Sequence, residues 1–280
     1  MVKTYKPGSV LEALRLKHEA QSEAIFVAGG TDIMPSGRTA PVLIYLQGLA
    51  ELREVSKLDG VLRIGAGCTY TQLIGDERIP KILREAMHEI AAPAIRNVGT
   101  IAGNICNASP AGDTLPLLYA MDAMIVMGSL DEQGQVRTRK LGIEAFIQGV
   151  RKIALEPSEM VLAVEIPCNS YEQMTKLQRY KAGARKAQAI AKLSFAGICR
   201  VEDDVLQDVR LAFGAVGATV IRSRKSEAKL KGLTLTELAA RRTAIVQEYG
   251  ELLRPIDDQR STADYRRQVC LNLLEDFLSL

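Results

Sequence analysis

The sequence predicts an α+β protein built as two unequal domains. Three observations carry that expectation. Short buried strand runs alternate with capped helices up to about residue 167; two long strands around an acidic turn follow; helices close the chain. Pro167, Asn169 and Ser170 mark the change of character, and a division at 172/173 gives domains 1–172 and 173–280. With 280 residues there is room for two cores. The 36 Lys+Arg against 33 Asp+Glu leave a net charge of +3, which argues against a nucleic-acid binder. The best apolar run, Leu115 to Met127, is broken by Asp122, so no membrane span is expected. The stretch after Met1 has no apolar signal core, which points to a cytoplasmic protein.

Ser9 and Glu12 stand at capping-box spacing and open the first helix. Ala24 to Ala28 reads as a buried strand running into Gly29-Gly30-Thr31-Asp32, and Val42 to Leu46 as a second strand. Val61 to Ala66 is a third, followed by a second capping box at Thr69 and Gln72. Pro80 opens a helix whose apolar face is Ile82, Leu83, Ala86, Met87 and Ile90. From Ala91 to Asp113 periodicity vanishes into Gly, Ala, Asn, Ser and Pro, which predicts a long irregular segment of functional type. A short helix (Leu115 to Met121), a strand (Ala123 to Met127), the basic stretch Val136 to Lys140 and a buried strand (Met160 to Ile166) complete this half. Beyond it, Ala189 to Val201 and Val205 to Val216 are strands around Glu202-Asp203-Asp204. Helices are expected over Ser223 to Leu230, Thr234 to Tyr249 and Ser261 to Leu280, the last with a stripe of Tyr265, Val269, Leu273 and Phe277. The basic run Arg222 to Lys231 reads as a solvated helix face.

The five cysteines are scattered, no C-x-x-C occurs, and His18 and His88 are the only histidines. Neither a structural zinc nor an iron–sulfur cluster finds its closely spaced ligands, so no metal residue is expected. No G-x-S-x-G elbow is present, and no catalytic side chain stands out. Chemistry would belong to a bound organic cofactor or to a partner.

Two turns of small residues are the candidates for such binding. The first is Val27-Ala28-Gly29-Gly30-Thr31-Asp32-Ile33, whose glycines let main-chain amides approach a ligand. Asp32 can accept from a sugar hydroxyl or pin the turn itself. The second is Gly99-Thr100-Ile101-Ala102-Gly103-Asn104, continuing through Asn107 to Asp113. Thr100, Asn104 and Ser109 offer donors suited to a pyrophosphate, while Asp113 suits a ribose diol or a helix cap at Thr114. Two such turns could clamp an extended diphosphate cofactor.

The pair AGGTD (Ala28 to Asp32) and TIAGNICNASPAGD (Thr100 to Asp113) resembles the FAD-binding medium subunit of the molybdenum hydroxylases, which include xanthine dehydrogenase. Val161 to Pro167, Tyr180-Lys181 with Arg185-Lys186, Leu211 to Arg222 and Pro255 to Val269 extend the resemblance along the chain. It implies a vanillyl-alcohol-oxidase/PCMH-type FAD domain of two subdomains, about 1–55 and 56–172, plus a small C-terminal α+β domain. It further implies that Val27 to Ile33, Thr100 to Asn104 and Ser109 meet the FAD diphosphate and Asp113 the adenosine ribose. Val161 would contact the cofactor through its backbone, Ile90 would pack on it, and Lys181 would lie by the flavin. Implied partners are a molybdopterin-binding large subunit and a small subunit with two 2Fe-2S clusters, passing electrons to FAD and then to NAD or another acceptor. The chain departs from the family at Ala102, where glycine is usual, and at Ala187-Gln188-Ala189, where acidic residues are usual. A self-sufficient FAD oxidase and a non-catalytic assembly subunit are the alternative readings.

Overall fold

The computed structural model describes residues 2–185 and 188–280, so Lys186 and Ala187 of the motifs above lie outside the described residues. In chain order the elements begin with β1 (Lys3–Tyr5), α1 (Val10–Ala20), β2 (Ala24–Val27), β3 (Val42–Tyr45), β4 (Val55–Leu58), β5 (Val61–Gly65) and α2 (Tyr70–Ile74). Next come α3 (Lys81–His88), α4 (Pro93–Arg96), α5 (Ile101–Asn107), α6 (Leu115–Ala120), β6 (Met124–Leu130), β7 (Val136–Gly142) and α7 (Ile143–Phe146). The strands β8 (Ile147–Gly149), β9 (Lys152–Ile153), β10 (Met160–Pro167), β11 (Lys176–Ala182), β12 (Leu193–Glu202), β13 (Val205–Gly214) and β14 (Ile221–Arg222) follow. The helices α8 (Arg224–Leu230), α9 (Leu235–Leu252) and α10 (Ala263–Phe277) end the chain.

These elements form two compact units. The first takes residues up to Ile79, Ala91–Ala108 and Ala123–Ile166; the second takes Pro80–Ile90, Ser109–Asp122 and Pro167–Leu280. The chain therefore passes from one to the other after residues 79, 90, 108, 122 and 166. A division by sequence at 172/173 would keep α3 and α6 with the first unit.

In the first unit β1 and β2 flank β3 in a parallel sheet, with Ala24 opposite Val42 and Val27 opposite Tyr45. Helix α1 sends Ala13 and Leu14 into the core. The Ser9 hydroxyl caps it by accepting the Glu12 amide at 3.1 Å. The reciprocal half of the expected box is displaced by one residue, because the Glu12 carboxylate takes the Gly8 amide at 2.7 Å. The box at Thr69 and Gln72 forms in full and opens α2. A five-stranded sheet runs β4-β5-β10-β6-β7. Its interior strand β6, between β10 and the edge strand, is buried along nearly its whole length, as a strand covered on both faces must be. The basic stretch from Val136 is the edge strand β7, where charge discourages further pairing.

The second unit is an antiparallel sheet, β11-β12-β13-β14. Asp203 and Asp204 both take positive φ, 49° and 57°, which makes the acidic turn the two-residue type whose twist suits a hairpin. Helices α9 and α10 pack on each other, and α10 packs on β12. Thr234 and Glu237 form the expected capping box of α9. The core is aromatic: Phe195 lies 5.1 Å from Phe213 and 5.7 Å from Phe277, and Phe213 lies 5.8 Å from Tyr249.

Two expectations are corrected here. The buried face of α10 is Arg266, Cys270, Leu274 and Phe277, while Tyr265 is exposed and Val269 and Leu273 are only partly buried. The inward row is rotated by one residue because Arg266 points in, donating to the Ala215 carbonyl at 3.2 Å and to Asp258 at 2.6 Å. The run from Arg222 is not a wholly solvated face either. Arg222 belongs to β14, is 3% exposed, and donates to Glu227 and to Asp122 at 2.9 and 2.7 Å.

The Asp258 pair has a measurable consequence. Hydrogen bonds from the Arg266 guanidinium and then the Arg260 amide hold its carboxyl at about 2, below the ordinary 3.8. A depressed acid stabilises the fold above its unfolded value and loses that contribution as pH falls. We expect thermal stability to drop between pH of about 3.8 and about 2. In Asp258→Asn the drop in that window should be smaller, and identical acid limbs in denaturation scans of the two proteins would contradict the assignment.

Candidate functional site

In the first unit the two small-residue turns lie side by side. β2 ends at Val27, and the following turn is closed by the Met34 amide on the Gly30 carbonyl at 2.9 Å. Gly30 takes φ +70°, a value other residues reach only with strain. Gly29 abuts the second turn so closely that a Cβ there would overlap the Val98 carbonyl oxygen. Across the same junction, a Cβ on Gly99 would stand 3.7 Å from the Thr31 hydroxyl. The Asn107 side-chain amide donates to the Asp32 carboxylate at 3.0 Å, so Asp32 pins one turn to the other.

The second turn is anchored to the chain after β5. Tyr70 donates its amide to the Gly99 carbonyl (3.0 Å), and Ile101 donates to Cys68 (3.2 Å). The irregular segment expected between Ala91 and Asp113 is instead partly helical, containing α4 and α5. The Thr100 hydroxyl caps α5 by accepting the Gly103 amide at 3.0 Å. A Cβ on Gly103 would sit 2.9 Å from that hydroxyl, so glycine leaves it room. Ala102 is buried within α5 and does not take a positive φ, so its backbone conformation there does not call for glycine. Asn104 lies on the same helix, and Ala108 ends it in the left-handed region with φ 45°.

The main-chain donors of the first turn are the chemically informative feature. Among the described residues, the amides of Gly29, Gly30, Thr31, Asp32 and Ile33 donate to no protein acceptor. The turn is only partly buried, so these donors stand ready for an anion with several oxygens. Val161 lies elsewhere in this unit, on β10 opposite Met127, just before an irregularity in the pairing.

The remaining expected residues belong to the second unit. Ile90 is half-buried just past the end of α3, not on its helical face. The Ser109 hydroxyl accepts the Ala111 amide at 3.3 Å. Asp113 does not cap α6, whose Thr114 N-cap receives no side-chain bond to its first turn. Its Oδ2 instead accepts from Lys181 Nζ at 2.7 Å, and among the described residues its buried Oδ1 has no hydrogen-bond partner. Burial pushes the Asp113 carboxyl up, with the Lys181 ammonium opposing that shift. Lys181 also donates to the Glu89 carbonyl at 3.3 Å, while Arg179 grips the Glu89 carboxylate through two nitrogens at 2.7 and 3.1 Å. The Arg179 guanidinium holds the Glu89 carboxyl below its ordinary range. An open groove of about 740 Å³ runs along α3 and β11, with Glu89, Arg179, Tyr180 and Lys181 in its wall.

The expected residues thus fall into two groups, one in each unit. Asn107 lies within the second small-residue run but has no role assigned from sequence, and Glu89 and Arg179 are not singled out by it. Arg179 stands two positions before Lys181 on a strand, and that period-2 spacing was the available signal.

Comparison with known proteins gives the family. The model of the FAD binding domain in molybdopterin dehydrogenase matches residues 1–169, and that of the CO dehydrogenase flavoprotein C-terminal domain matches 178–280. The chain is 29% identical over 285 residues to the xanthine dehydrogenase FAD-binding subunit of Escherichia coli O157:H7, covering 98% of this chain and 94% of that one. It is 28% identical over 270 residues to the carbon monoxide dehydrogenase medium chain of Hydrogenophaga pseudoflava, covering 94% and 90%. A solved carbon monoxide dehydrogenase from the same organism, lacking the Mo-pyranopterin moiety, superposes with TM-score 0.88 at 25% identity over 98% of this chain and 95% of the other.

Proposed function

The chain belongs to the FAD-binding subunits of the molybdenum hydroxylases, and on that premise we propose that it relays electrons from a partner's 2Fe-2S clusters through FAD to NAD or another acceptor. The reading rests on the five unbonded amides from Gly29 to Ile33 beside the Gly99–Asn104 turn. They supply fixed N–H dipoles for a diphosphate that carries its own charge, and the glycines keep side chains out of its way. FAD supplies the redox chemistry, accepting and releasing electrons at its ring system.

The chain's own residues then hold and tune. Val27 to Ile33 and Thr100 to Asn104 would bind the diphosphate. Ser109 would add a hydroxyl, and Asp113 would offer its unpartnered Oδ1 to a ribose hydroxyl. Val161 would contact the cofactor through its main chain and Ile90 would pack on it. Lys181 would bring a positive charge to the flavin, which favours the electron-rich state. No side chain here is needed as an acid or base, because the step depends on positioning and on the flavin's electronics. The substrate-oxidising centre and the clusters would reside on a molybdopterin-binding large subunit and a small iron–sulfur subunit.

The test is a titration of the FAD-loaded chain with NADH under anaerobic conditions. Bleaching of the flavin bands at one equivalent supports NAD as acceptor. Bleaching by dithionite but not by NADH removes NAD from the reading. Co-purification of the native complex with only one kind of subunit, or none, would contradict the relay.

A further inference from the structure

We propose that Glu89 and Arg179 are the positioning pair for Lys181, fixing where its ammonium stands; the inference rests on the flavin reading of Lys181 given above. A lysine head sits on four rotatable bonds and holds one place only where its surroundings fix it. Lys181 has two anchors, the Asp113 carboxylate at 2.7 Å and the Glu89 carbonyl at 3.3 Å. An ammonium has three hydrogens, so among the described residues one is left for a ligand.

The second anchor is weak by itself. Glu89 is the C-cap of α3, the part of a helix that frays. It is held because Arg179 closes a bidentate, charge-assisted pair on its carboxylate. Arg179 and Lys181 are two residues apart on β11 and share one side of it. One side of the strand thus delivers both the cation and the clamp for its anchor. The Lys181 side chain is only 10% exposed and yet lines the open groove, so the head is confined but reachable.

The measurements are the midpoint potential of bound FAD and its Kd, on the full FAD-loaded chain. Lys181→Met removes the cation and should lower the potential. Glu89→Ala decides the issue by its sign. Taking away a negative charge would raise the potential if Glu89 acted only through its field. Loss of positioning lowers it, as Lys181→Met does, and weakens FAD by up to about tenfold. The double variant should show no further change beyond Lys181→Met alone, and Arg179→Lys should fall short of the parent because it cannot make the fork. Should Glu89→Ala fail to fold, Glu89→Gln reports with the same sign. An unchanged or higher potential in the Glu89 variant, with a lowered one in Lys181→Met, overturns the positioning role and leaves the Lys181 reading intact. An unchanged potential in Lys181→Met removes both.

Discussion

Gly29→Ala is expected to strip FAD from the chain while leaving its secondary structure in place. The added methyl would overlap the Val98 carbonyl oxygen, a main-chain atom with no rotamer to escape into. One turn must then slide away from the other, and the row of amides from Gly29 to Ile33 loses its aim. Each hydrogen bond to a charged group contributes about 1.5–3 kcal/mol, so misplacing two should weaken FAD roughly 100-fold or more. Gly37→Ala is the control. That glycine also takes positive φ, 64°, but nothing lies within reach of its Cβ, so only backbone strain is added. Asn104→Leu should resemble Gly29→Ala. Flavin absorbance per chain and calorimetric titration with FAD give the outcome, with circular dichroism to exclude unfolding. Parent-like FAD affinity in Gly29→Ala would remove the amide row from the binding site.

The second large effect concerns stability. Phe277 is fully buried and stands edge-on to Phe195 at 67° between ring planes. Gly197 lets it do so, because a Cβ there would come within 2.7 Å of the Phe277 ring. Phe277→Ala should cost about 3–5 kcal/mol and lower Tm by on the order of 10 °C. Gly197→Ala should cost about 1–3 kcal/mol in the parent through overpacking. In the Phe277→Ala background the same methyl meets a void, so the second loss should shrink or reverse. Additive losses in the double variant would show that the two residues do not share the space.

Much of this was legible in the sequence wherever the signal is local. The Thr69–Gln72 and Thr234–Glu237 boxes form as read, and the acidic turn joins β12 to β13. Helix α5 escaped notice because Ile-Ala-Gly-Asn-Ile-Cys-Asn shows no clear amphipathic period and holds a poor helix former; its cap and its packing, not propensity, make it helical. The inward turn of Arg266 depends on Ala215, 51 residues away, and the burial of Arg222 on Asp122, 100 residues away. The two binding turns were readable as small-residue runs. What could not be read was that Asp32 spends its carboxylate on Asn107, or that Asp113 answers Lys181 across 68 residues.

The five transitions of the chain from one unit to the other bear on how the protein can be cut. A fragment ending near residue 172 would carry α3 and α6 but not the β-strands on which they rest, leaving Leu83, Met87, Leu117 and Leu118 without cover. The converse fragment would lack those two helices. Ribosomal synthesis meets an asymmetric constraint: the first unit has all its residues once Ile166 has emerged, whereas α3 and α6 must wait for the strands that follow Pro167 before the second can close.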